Sequence, residues 1–482
     1  MAFQQWAMAG LTAVLAAGCA NRPEFPARAL SRTAERVDYD SNGDGKADFF
    51  CYPDSTGRYD RIGYDRDGDG KPDRIIHLDA IDKRFCRHLV IVLDGFPYDV
   101  VKEFYDGGGL RFLHPPVVVI PPYPVMTDLA LEDAFGYMPC AGYEAKYFDH
   151  SANRVVGGTS AYLAGKNEPF ARIITYRSST LRDGFAYLNP RQHMRQEIQA
   201  VRQCFQAARE QETIAYIVSS AAMGSRLGKE GQIEALRQCE QLITSLYCQM
   251  EGMLKVTLLA DHGQTNVPCT SAKLDEFLRT QGWRLVDRLA GPRDVALIQF
   301  GLETSAALYT LSPAALAEDL LSCDKVELAS YVDGDSVVVA SREGKAIIRS
   351  SDGKTFEYER VRGDPLKLGE LAEGKVAGRE LLQATVQKRS PYPDPLYRLW
   401  RAHFGLVEHP ADVIVSLDDR YYNGAGGFAS FVTMASTHGG LNWRNSATFI
   451  ASSAGAIDGP LRSEDIPAAM RKLFDRPFPL GR

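Results

Sequence analysis

The feature that most constrains this chain is a pair of short, largely apolar runs, each ending in an acidic residue. Leu89-Val-Ile-Val-Leu93 runs into Asp94-Gly95, and Leu254-Lys-Val-Thr-Leu-Leu-Ala260 into Asp261-His262-Gly263. Such a run, without polar alternation, suits a strand covered on both faces, as in a parallel sheet flanked by helices. Amphipathic helical patterns near 192–210 and 231–250 separate the two runs. Ligands gather at the carboxyl ends of parallel strands, which marks Asp94, Asp261 and His262 as candidates for chemistry. A further run, Val117-Val-Val-Ile120, passes through Pro121, Pro122, Tyr123 and Pro124 into a strand-to-helix elbow with Thr127 and Asp128 at the helix start. Thr437-His438-Gly439-Gly440 follows a late loop and precedes a last apolar run, Ala447 to Ser453.

A chain of 482 residues has room for one large α/β domain with accessories, or two to three units in all. No apolar run reaches the roughly 18 to 20 residues of a spanning helix. With 45% hydrophobic and 24% charged residues, a polytopic membrane protein and a disordered chain are both excluded. Basic and acidic residues number 55 and 61, for a net charge of −6, and no Lys/Arg stripe stands out. A nucleic acid polymer is therefore not an expected partner.

Residues 1–18 read as a signal peptide. The apolar run Ala7 to Gly18 ends in Leu15-Ala-Ala-Gly18-Cys19, similar to a bacterial lipoprotein signal. The expectation is an exported, membrane-anchored protein, periplasmic or at the cell surface, lipidated on Cys19 with 19–35 as tether. Plain secretion and a buried Ala-rich helix are the alternatives. Eight further cysteines then remain, an even number that permits disulfides, although reduced apolar cysteines fit equally. Protein partners are not specified by any motif.

Residues 36–82 carry an acidic repeat. Asp40, Asn42, Asp44 and Asp48 recur 25 residues later as Asp65, Asp67, Asp69 and Asp73, with Gly45 and Gly70 at the turn. Oxygen side chains at positions 1, 3, 5 and 9 suit a hard cation such as calcium. Position 12 is not acidic, and each loop runs into β-prone residues, so a small β-rich calcium-binding unit is expected. Ordinary Asp/Gly turns are the competing reading.

Taken singly, the candidate site residues have bland readings: an Asp-Gly turn, a Thr at a helix start, a buried histidine. In their order and spacing they resemble the alkaline phosphatase superfamily, most closely its nucleotide pyrophosphatase/phosphodiesterase-like branch, over about residues 86–482. The resemblance implies a mostly parallel sheet flanked by helices. It implies a metal site of Asp94, Thr127, Asp261 and His262 with Thr127 as nucleophile, and His438 as ligand or catalytic group at a second site. Zinc or manganese suits that O,O,N donor set, and a small-molecule phosphate ester is the implied substrate. At the second site the sequence departs from the pattern: Ala221 and Ser225 stand where two-metal members carry Asp and His. Asp149, His150 and His114 are weaker candidates to fill that gap. Arg172 and Arg177 are weaker candidates for phosphate contacts.

Residues 301–399 are expected to form an inserted α+β cap, with a helix from Pro313 to Ser322 and hairpins at Asp333-Gly334, Glu343-Gly344 and Asp352-Gly353. The catalytic domain would then comprise 86–300 and 400–482. Two functions follow. One is a metal-dependent phosphoesterase using Thr127 and one well-formed metal site. The other is a catalytically silent relative acting as an exported binding protein.

Overall fold

The computed structural model describes residues 25–26, 28–163, 169–179, 184–424 and 433–480. Cys19 and the signal segment lie outside them.

The protein is a mixed α/β structure. Its central sheet has six strands in the order Glu212–Ile217, Arg87–Leu93, Leu254–Ala260, Thr448–Ser452, Val117–Ile120, Leu461–Arg462. All run parallel except Thr448–Ser452, which is antiparallel to both neighbours. The two apolar runs are central because both of their faces are covered: every residue of Leu254–Ala260 is buried, and so is His88–Leu93. Pro190–Ala207 packs on the long helical segment Ser219–Gln249, which has a non-helical residue at Gly228.

Register sets the site. Leu93 stands opposite Ala260, so Asp94 and Asp261 leave the sheet side by side. Val117–Ile120 runs the same way, and seven residues later the helix Thr127–Phe135 begins at the same edge. The reversed strand Thr448–Ser452 starts at that edge, which brings the preceding segment with His438 to it.

A nine-stranded sheet stands beside the first. Its strands follow the order Arg284–Leu285, Asp294–Leu297, Ser305–Thr310, Val413–Leu417, Val326–Asp333, Ser336–Ala340, Lys345–Arg349, Thr355–Arg362, Lys375–Ala377. The expected helix appears as Pro313–Leu321, and antiparallel pairing across Gly334, Gly344 and Gly353 forms the three hairpins. The sheet draws strands from both sides of 301–399, with Val413–Leu417 in its middle.

The N-terminal sheet orders five strands in sequence, from Ser31–Arg32 through Val37–Tyr39, Phe49–Pro53 and Tyr59–Tyr64 to Arg74–His77. Its Asp loops are the two hairpin connections at one end, tied by Asp65 N–H to Asp48 O at 3.1 Å. This sheet has no separate core. Phe25, Tyr39, Phe49 and Ile62 join the same apolar cluster as Leu89, Leu242 and Leu258. Phe25 is thus packed inside the segment expected as tether.

Candidate active site

Three ligand-type side chains converge at the carboxyl edge of the central sheet. Donor atoms of Asp94, Asp261 and His262 all lie within 4.8 Å of one another, and all three residues are buried. Each is oriented by a neighbour. Asp94 Oδ2 accepts from Tyr216 Oη at 2.6 Å, and its backbone O accepts from Ser220 Oγ at 2.8 Å. Asp261 Oδ1 accepts the N–H groups of Gly95 at 2.9 Å and His262 at 2.8 Å. His262 Nδ1 donates to Gly263 O at 2.8 Å, which fixes the tautomer and leaves the Nε2 lone pair facing the carboxylates. Nε2 lies 3.4 Å from Asp261 Oδ2 and 3.7 Å from Asp94 Oδ1.

Thr127, the first residue of its helix, places Oγ1 3.1 Å from His262 Nε2. The N–H groups of that first turn have no acceptor inside the helix, so the hydroxyl sits beside a positive helix end.

The donor set fits a divalent ion. Asp261 Oδ2 is buried and accepts no hydrogen bond, a costly state unless a cation or proton meets it. Burial raises the Asp261 carboxyl to about 6, offset partly by Gly95 N–H and by His438, and burial lowers His262 to about 4. A neutral imidazole and a carboxylate that gains from a positive partner suit metal coordination.

His438 stacks on His262 with ring centroids 3.8 Å apart. Its Nδ1 donates to Val125 O at 2.9 Å. Burial first, and then His262, push His438 down to about 3. It is neutral at physiological pH, and its Nε2 accepts rather than donates.

Around Ser225, where the resemblance implied a second site, the side chains are neutral. Ser225 Oγ accepts from Gln264 Nε2 at 2.8 Å, Gln264 Oε1 from Gln232 Nε2 at 2.9 Å, and Gln232 Oε1 from Asn266 Nδ2 at 2.9 Å. Ser225, Gln264 and Gln232 are buried. Ala221 lies against Gly95, where a β-carbon would meet it at 3.7 Å.

The other candidates lie elsewhere. Asp149 bonds Ser151 and Ala152 in a turn, and His150 sits 3.6 Å from Asp412. His114 precedes Val117–Ile120, at the opposite end of that strand from Thr127. Arg172 ends a short 3-10 turn, while the Arg177 guanidinium lies 5.7 Å from the Tyr216 ring centroid. In the N-terminal unit, Asp65, Asp67 and Asp73 offer carboxylate oxygens within 4.8 Å of one another. Asp40 takes three backbone N–H groups, from Gly43, Asp44 and Gly45. Asn42 Oδ1 accepts from Asp44 N, Asp44 from Lys46 N, Asp69 from Lys71 N, and Asp48 from Ser41. The cysteines from Cys51 to Cys323 stand unpaired.

Sequence reasoning did not mark Glu303. It lies 3.2 Å from His438 Nδ1, and burial, then Glu144, Asp94 and Asp128, raise its carboxyl well above the ordinary range. Nor did it mark Tyr216 as the support of Asp94 or Gln264 as the partner of Ser225.

No family model matches the chain, and no curated protein matches it. Among solved structures it is similar to human ectonucleotide pyrophosphatase/phosphodiesterase 5, with 10% identity and a TM-score of 0.44 over 81% of this chain and 95% of that one.

Proposed function

We propose that this protein is a metal-dependent phosphoesterase of the phosphodiesterase/phosphatase type, on an alkaline-phosphatase-like scaffold, with Thr127 as nucleophile and one divalent-metal site. One observation carries the reading: Thr127 Oγ1 lies 3.1 Å from His262 Nε2, inside a buried Asp94/Asp261/His262 cluster. A threonine hydroxyl needs activation to attack near neutral pH. Zinc or manganese held by Asp94, Asp261 and His262 would, when bound, supply that activation and take up phosphoryl charge.

The chain's own groups do the rest. Tyr216 and Ser220 fix Asp94, Gly95 and the His262 N–H fix Asp261, and Gly263 O fixes His262. The first-turn amides beside Thr127 face the phosphoryl oxygens. The Thr127 Oγ1–P bond forms as the P–O bond to the leaving group breaks, and water then hydrolyses the phosphothreonine. His438, neutral with its proton on Nδ1, acts as an acceptor or ligand.

Metal content by elemental analysis, paired with hydrolysis of aryl phosphate mono- and diesters, tests this. Thr127→Ala should abolish turnover with metal content intact, and Asp261→Ala should remove both. Equal inertness of wild type and Thr127→Ala across phosphate and sulfate esters, in zinc, manganese, magnesium and calcium, would favour the silent binding protein. The Gln264 amide on Ser225 is the observation that supports that second reading.

Calcium is proposed for the N-terminal loops on the strength of their oxygen pattern. Export and a lipid anchor on Cys19 rest on the leader alone. Cys19→Ala should move the protein from the membrane to the soluble fraction, and unchanged partitioning would remove the anchor.

A further inference from the structure

The elbow that leads to Thr127 rests on a buried arginine. Arg398 is 2% exposed. Its Nη1 donates to Pro393 O at 3.2 Å and Leu441 O at 3.0 Å, and its Nη2 to Pro122 O at 3.4 Å. It thereby joins the prolines before Thr127 to the segment three residues beyond His438. All three acceptors are neutral carbonyls, and Nε has no acceptor. Among the described residues no carboxylate lies within ion-pair distance of this guanidinium. Asp394 acts on it only from farther off, because both Asp394 oxygens are taken by Arg462, at 2.6 and 3.2 Å. Burial, the first cause, lowers Arg398 to about 10, so the group is charged near neutral pH. A buried charge without a partner is costly, and a counter-ion removes that cost.

The space beside Arg398 selects that ion. Arg398 lines a cavity of about 10 Å³ together with Pro122, Asp133, Tyr397, Arg401 and Arg462. This is room for one small ion or one water, and a phosphate or carboxylate exceeds it. The charged lining is three arginines against one aspartate. Arg401 Nη2 donates to Asp133 Oδ1 at 2.5 Å, so the Asp133 charge is already met. Arg462 is met by Asp394, and the Tyr397 hydroxyl by Glu464 at 2.7 Å. The unmet group in this wall is the Arg398 Nε–H. Water would accept that hydrogen but leave the charge; a monoatomic anion answers both.

We infer that this cavity is a chloride site, in which one halide ion held by Arg398 Nε–H neutralises the guanidinium that ties Pro122 to Leu441. The ion then steadies two segments at once, the elbow before Thr127 and the loop after His438. The inference stands whether or not Thr127 is a nucleophile.

Bromide substitutes for chloride and scatters anomalously, which gives a direct test. Crystals of wild type grown with bromide as the sole halide should show one anomalous peak in this cavity, within hydrogen-bond reach of Arg398 Nε. Water in the cavity without an anomalous peak overturns the site, and so do peaks confined to the surface, which mean an adventitious ion only. In solution at fixed ionic strength, replacing gluconate by chloride should raise the melting temperature saturably, by about 3 °C at roughly 100 times Kd. Bromide should act alike, and Arg398→Met should abolish the rise. No rise in wild type, or an equal rise in Arg398→Met, overturns the site. If Arg398→Met does not fold, the bromide peak in wild type decides.

Discussion

Tyr216→Phe isolates one hydrogen bond at the proposed metal site. The substitution removes only the hydroxyl that donates to Asp94 Oδ2 at 2.6 Å. The ring keeps its edge contact with Phe170, at a centroid distance of 6.4 Å, and its place under the Arg177 guanidinium. A hydrogen bond to a charged group contributes about 1.5–3 kcal/mol, and tenfold in affinity is about 1.4 kcal/mol. Loss of this bond should therefore weaken metal binding about 10- to 100-fold, the range seen when support of a metal-binding side chain is lost. Competition for zinc against a chromophoric chelator measures the change directly. Turnover should recover as zinc is raised, because the substitution leaves Thr127 and the donors in place. A zinc Kd within about twofold of wild type would refute the reasoning: either Asp94 is not a ligand or its orientation is set elsewhere.

Two further outcomes are expected. In the N-terminal unit, chelation should expose the loops to trypsin at Lys46-Ala47 and Arg66-Asp67 while the strands between them persist. Phe25, Tyr39, Phe49 and Tyr64 root those strands through ring contacts of 5.4 to 6.2 Å. An identical digest with and without chelator would reduce the loops to turns. At the second position, Ala221→Asp with Ser225→His should leave the active centre at one zinc and lower the melting temperature. The new imidazole must displace the Gln264 amide that holds Ser225 at 2.8 Å, and overpacking of this kind costs about 1–3 kcal/mol. A second zinc equivalent in that variant would show that the amide chain yields to a cation.

The parts of this molecule legible in sequence are those fixed by one strand and the residue after it. A run such as Leu89–Leu93 suits a strand buried on both faces, and the polar residue that ends it, Asp94, then emerges at an edge. The same holds for Leu254–Ala260 and Asp261-His262. Parallel pairing then makes the edges coincide, with Leu93 opposite Ala260, so three residues far apart in sequence become neighbours through register alone. Thr127 was legible because the prolines after Ile120 cannot continue the strand, and a helix start is where a threonine fits. Hairpins at Gly334, Gly344 and Gly353 were legible for the same local reason, since each needs a residue at positive φ or a close backbone approach.

The lateral wall was not legible, because it depends on pairings between distant segments. Leu302–Glu303 pairs with Asn423 and Gly424, and Thr304 N–H donates to His438 O at 2.6 Å. Nothing near Glu303 in the chain announces that partner. Likewise, a sequence of acidic loops shows where oxygens will gather but not what roots the strands between them. Tyr39 and Phe49 read as ordinary β residues until Phe25 and the helix residue Leu242 are found in the same cluster. The case of Gln264 is the most instructive. By the resemblance alone, Ala221 and Ser225 stand where the ligands of a second metal would be expected. In the structure Ser225 accepts from the Gln264 amide, which is linked through Gln232 to Asn266. A bonded neutral chain of this kind disfavours a bare cation, since an ion must break those bonds before it makes its own. On that ground the proposed single-metal site would depend on Gln264 and Gln232 as much as on Ala221 and Ser225.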